Sequence, residues 1–224
     1  MFQRVWSCLT CFKRGVNNLK ISGLLFYLSG AIVLMGIITA EAMYPSGYTT
    51  FKNEISDLGA TKQPSSVSFE PSSSIFNSIM WLSGLMILTA TFYQHRYFKK
   101  LLFTIPVTLF GLGLFGVGIF PGNIRPYHGM SSMLAFLAGG ISAIASSKIV
   151  YFPYKFIGIL LGLISLTTWF IAVFSSSTLV QYIGIGGTER WVAYPLMLWL
   201  TGLGGYLMSE KPEIVTRKPD ENTK

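Results

Sequence analysis

The chain has 224 residues, 51% of them hydrophobic and only 12% charged, and carries a formal net charge of +8. A soluble domain carries roughly 25% charge, so one globular core does not account for this composition. Two cysteines exclude a disulfide scaffold, and the excess of basic residues is distributed in a way that excludes a nucleic-acid footprint, as the connections below show.

Residues 1–20 are a basic lead-in bearing Phe2, Trp6 and Phe12, expected to lie at a membrane interface. Cys8 and Cys11 stand there as C-x-x-C, but no second Cys/His pair completes a tetrahedral zinc site. Reduced thiols near the interface are the plain reading, and juxtamembrane palmitoylation is the alternative.

Six apolar runs follow: Ile21–Ala40, Ser74–Tyr93, Leu101–Phe120, Met130–Ser147, Phe156–Phe174 and Trp191–Met208. Each approaches the ~20 residues a helix needs to cross ~30 Å of hydrocarbon. The expected fold is therefore all-α: a polytopic six-helix membrane domain over residues 21–208, followed by a disordered tail from 209. Ala40-Glu41-Ala42 mimics a cleavage site. The run before it exceeds the ~7–15 residues of a signal h-region, so it reads as a retained anchor.

The connections orient these runs. Thirteen basic residues lie in the N-terminus (Arg4, Lys13, Arg14, Lys20), the second connection (Arg96, Lys99, Lys100), the fourth (Lys148, Lys155) and the tail (Lys211, Arg217, Lys218, Lys224). The other side holds Lys52, Lys62, Arg125 and Arg190. The positive-inside rule then places both termini in the cytoplasm of a cell membrane.

The first outward connection, Glu41–Ser73, is the longest. Within it Thr49–Ala60 reads as a short helix: Thr50 can cap it, Phe51, Ile55 and Leu58 share a face, and Gly59 stops it. Such a helix is expected to lie on the outer leaflet. The glycines of the third to fifth runs are read as close-packing positions, and Pro106 and Pro195 as kinks.

Three polar clusters face outward: Asn53-Glu54-Ile55-Ser56-Asp57-Leu58-Gly59; Gly118-Ile119-Phe120-Pro121-Gly122 with His128; and Gly186-Gly187-Thr188-Glu189-Arg190-Trp191 with Tyr194-Pro195. They supply a hydroxyl, an imidazole, carboxylates and a cation. Asp57, His128 and Glu189 are the candidate reactive or coordinating groups. Asn53, Ser56, Arg190 and Tyr194 are the candidate binding residues.

Plainer readings stand beside these. Asp57 could only cap the short helix, His128 could be an interfacial residue, and Glu189-Arg190 could be an ion pair at the start of the last run. Glu41 is expected to face headgroups. A Ser56/His128/Asp57 triad is disfavoured because Asp57 adjoins the serine, which leaves Glu189 as the better third member. A three-histidine zinc site is impossible, since His95 and His128 fall on opposite sides, while two carboxylates with His128 remain a cation-binding alternative. Glu189 is expected to turn toward His128 and raise its proton affinity, with Arg190 reaching Asp57 or a lipid phosphate.

The run Ile55-Ser56-Asp57-Leu58-Gly59, then Phe76-Asn77, Gly118-x-Phe120-Pro121 with His128, and Gly187-x-Glu189-Arg190-x-x-x-Tyr194-Pro195-x-x-x-Trp199 resemble a family of small membrane proteins of archaea and bacteria, domain of unknown function 998. The resemblance covers about residues 20–208. It implies six helices and no established activity.

The expected function is an outward polar site at headgroup level that binds or processes a lipid or other amphiphile, with no cofactor or metal. Whether that extends to catalysis is left open. The alternatives are a non-enzymatic accessory subunit of a membrane complex and a transporter of an uncharged solute. The transporter is disfavoured by the absence of mid-membrane carboxylates and of visible repeats. Membrane lipid is the expected partner, with other membrane subunits as further candidates and nucleic acid excluded.

Overall fold

The computed structural model describes residues 2–209, with side chains for all of them except 2–15 and 176–178. The Cys8 and Cys11 thiols and the tail from Glu210 therefore lie outside the described residues. The described chain is built from α1 (Phe2–Ala42), α2 (Ser72–Phe98), α3 (Leu101–Ile119), α4 (Tyr127–Ala145), α5 (Tyr154–Phe174) and α6 (Ser176–Ser209). Short 3-10 turns cover Ile55–Leu58 and Ser146–Lys148, and the described residues contain no strand.

Five helical stretches are long and apolar enough to cross a membrane: Val16–Ala42, Ser72–Phe98, Leu101–Ile119, Tyr127–Lys148 and Tyr154–Phe174. The sixth expected run lies inside α6 and is not among them. Its tryptophans, tyrosines, glycines, threonine and proline dilute its leucines, and many of its residues pack inward. The lead-in continues into the first run, as one helix of 41 residues.

Each helix packs against its neighbour in the chain, and α6 returns to pack along α1 as well as α5, closing a ring. Trp199, Phe26, Phe103 and Phe110 are fully enclosed at its centre. The glycines serve close approach: a Cβ at Gly204 would collide with the backbone of Tyr27, and one at Gly118 with that of Trp81. Without such positions these helix pairs would separate and lose dispersion contacts, which count heavily where lipid offers no hydrophobic drive.

Several polar groups within the helices bond to backbone or to a neighbouring element. Ser142 Oγ donates to Ala138 O at 2.6 Å. Ser165 Oγ of α5 donates to Val192 O at 2.8 Å, just upstream of Pro195. Trp199 Nε1 donates to Ser146 Oγ at 3.2 Å.

The connections 43–71, 120–126 and the loop joining α5 to α6 gather at one end of the bundle, distal to Val16. The expected short helix is corrected here. Residues 49–53 are turns, and only Ile55–Leu58 winds, as 3-10. Ile55, Ser56 and Leu58 are buried, so this turn plugs the distal end of the ring instead of lying on a leaflet. α6 breaks at Gly184, whose φ of 73° suits glycine and whose Cα lies against the Phe51 carbonyl. The break turns Ile185–Ser209 back into the bundle, beneath the plug.

Candidate functional site

Asp57 is committed to the plug. Its Oδ2 accepts the Glu54 amide at 2.9 Å, and the Asn53 side-chain amide lies at 3.5 Å. Asn53 Oδ1 in turn accepts the Thr49 amide at 3.0 Å. Burial pushes the Asp57 carboxyl above its ordinary range, partly offset by the bond from Glu54. These two residues shape the turn through Asp57 Oδ2 and the Asn53 side-chain amide.

Glu189 caps the same plug from α6. Its Oε2 accepts the Ile55 amide closely and the Ser56 amide at 3.4 Å. Burial and then the nearby Glu54 carboxylate push Glu189 up to about 7, against the opposing effect of the two amides. Glu54 itself pairs with Lys62.

Arg190 points elsewhere, as adjacent helical residues must. It is 8% exposed and pairs with Glu41 at the end of α1. It also donates to Tyr48 Oη at 2.7 Å, Gly186 O at 2.9 Å and Asn53 O at 3.1 Å. Two expectations are corrected. Glu41 pairs with the guanidinium, and the Asp57 carboxylate is not among the partners of Arg190. A planar fork satisfies several acceptors at once here, which a lysine could not do.

His128 opens α4 and is buried. Its Nδ1 lies 2.7 Å from Phe120 O, so that nitrogen carries the proton. Ser132, one turn on, places Oγ 3.3 Å from Nε2. Both ring nitrogens thus face neutral partners. Glu189 does not bond the imidazole, contrary to the expected pairing.

What joins His128 and Glu189 is a cleft of about 290 Å³ between the plug, α4, α5 and α6. Its polar wall is Glu54, Ser56, Lys62, His128, Ser132 and Glu189. Phe136, Trp169, Val173, Ile185 and Val192 add its apolar lining. Beneath it a cavity of about 50 Å³ shares Ser56, Ser132, Phe136 and Glu189 and is otherwise lined by core side chains such as Ile37, Met80 and Phe110.

The other candidates fall outside this cleft. Arg190 and Tyr194 line a separate groove of about 600 Å³ with Phe51, Trp191 and Leu198. Among the described residues no group of three or more His, Cys, Asp or Glu side chains could hold a metal ion.

Sequence reasoning missed Lys62, Trp169 and Ser132. Ser132 carries an available signal, since it stands four residues after His128 on a helix. Lys62 and Trp169 carry none, because only tertiary structure brings them to the cleft.

No curated protein and no solved structure matches the chain. A family model described as protein of unknown function (DUF998) matches residues 27–206, which include every residue of the plug and the cleft. The chain accordingly belongs to the DUF998 family.

Proposed function

We propose that this is a six-span protein of the cell membrane, with Trp191–Met208 as the sixth span, both termini cytoplasmic and the plugged end facing out. We infer that its cleft binds the headgroup and upper chain of a lipid or other amphiphile. The observation that carries the reading is the lining of one concavity by both polar and apolar side chains. A ligand with a polar end and a hydrocarbon part satisfies both. His128 and Glu189 are the groups that would contact its polar end, with Ser56 beside them. Asp57, Asn53 and Arg190 hold the plug that forms one wall. The orientation rests on the partition of basic residues among the connections.

An accessory-subunit reading is favoured by one observation only: Asp57 and Arg190 are consumed by internal bonds. It leaves the cleft unexplained.

A photo-crosslinking residue introduced at Ala172, on the cleft wall, and another at Ile38, exposed on α1, provide the test. Lipid captured at position 172 should be enriched in one headgroup class relative to position 38. Capture of the same bulk mixture at both positions would overturn the binding reading.

A further inference from the structure

The charges around the cleft restrict what its ligand can be. Among the described residues, the ion pairs are Lys62 with Glu54 and Arg190 with Glu41. Lys62, the one cationic side chain on the cleft wall, is therefore already neutralised by Glu54. Glu189 adds a second carboxylate with no cation of its own. Its neighbour Arg190, the obvious candidate, points ~100° away around α6 and is held by Glu41, Tyr48 and three backbone carbonyls.

His128 does not restore the balance. Its proton sits on Nδ1, given to Phe120 O, and Nε2 meets Ser132 Oγ. The cleft thus offers a ligand carboxylate and hydroxyl acceptors beside apolar side chains and, above about pH 7, one uncompensated negative charge.

A headgroup carrying phosphate or carboxylate would add negative charge beside Glu54 and Glu189, which costs free energy in a site partly shielded from water. A quaternary ammonium has no N–H to give these acceptors and depends on aromatic faces, of which the cleft wall supplies Phe136 and Trp169. A primary ammonium supplies both a charge and three donors. Resting on the amphiphile reading, we propose that the cleft of this protein takes an amphiphile whose headgroup bears a primary ammonium, paired with Glu189.

Size agrees. A concavity of about 290 Å³ lies just below the ~300–1,000 Å³ usual for ligand pockets. It admits a compact headgroup and the upper part of one chain. The carboxyl of Glu189 is also held above its ordinary range by burial and by Glu54, which outweigh Lys62 and the two amides.

The experiment uses four probes that share one chain: dodecylamine, dodecanol, dodecyltrimethylammonium and dodecanoate. Each is titrated into the purified full-length protein, and retained ligand is counted by native mass spectrometry. Dodecylamine should bind at least about tenfold tighter than the other three. Glu189→Gln should abolish that preference. Glu189→Asp, which keeps the charge, should retain it in weaker form, and so covers a folding defect in the glutamine variant. Glu70→Gln, an exposed carboxylate away from the cleft, should leave it unchanged.

Equal binding of all four probes, all displaced by Ala172→Phe, would sink the ammonium assignment and leave the amphiphile cleft standing. Binding of every probe indifferent to Ala172→Phe would sink both.

Discussion

A carboxylate that accepts two backbone amides ordinarily ionises more readily than a free one. Glu189 accepts two and yet is pushed up to about 7, because burial and the Glu54 charge outweigh the amides. The sign of the consequence is fixed. Between the ordinary value of 4.5 and about 7, the folded chain holds a proton that the unfolded chain has lost. Stability must fall as pH rises through that window, by an amount on the order of a few kcal/mol. Glu189→Gln keeps an acceptor oxygen for Ile55 and Ser56 but cannot ionise. Denaturant unfolding in micelles should therefore show a flatter pH profile for the variant, with its advantage over wild type appearing above about pH 7. Identical slopes would mean that Glu189 titrates normally. That Glu189 and Arg190 diverge could be read from helical geometry alone, and so could the capping role of Asp57. Their partners could not, since Ile55 and Glu41 stand far from them in the chain and meet them only through the fold.

At the scale of elements, Arg190 ties three pieces together: the end of α1 through Glu41, the loop through Tyr48 and Asn53, and its own helix through Gly186. Removing one partner of a buried pair leaves the other charge stranded, at a cost of about 3–5 kcal/mol. Arg190→Met should lose that much stability, and Glu41→Gln should lose a comparable amount. The double variant should lose less than the two singles added together, because the stranded charge is gone. Strict additivity in unfolding measurements would show that the two groups do not communicate. The apolar period Phe51, Ile55, Leu58 revealed a segment with an inner face, and Ile55 and Leu58 are indeed buried. It misjudged the outcome because periodicity reports a face without naming what covers it. Here the cover is the open end of the helix ring, and a 3-10 turn of four residues suffices to fill it.

For the molecule as a whole, the helical architecture was readable because apolar runs near ~20 residues have few other destinations. The last run was harder to judge, since its tryptophans, tyrosines, glycines and proline dilute its leucines. The orientation predicted from basic residues can be tested with single cysteines at Ser66 and Lys218 in a chain lacking Cys8 and Cys11. An impermeant reagent added outside should label position 66 and spare position 218. The reverse pattern would turn the cleft toward the cytoplasm.

The contact of α6 with α1 carries a consequence for biogenesis. A chain emerging from the ribosome presents Glu41 long before Arg190 exists to meet it. Until the final helix arrives, the first one has an unfilled flank and an unanswered charge at its end. The packing of α1 therefore cannot be completed until α6 has been made, and the arrival of α6 closes the ring.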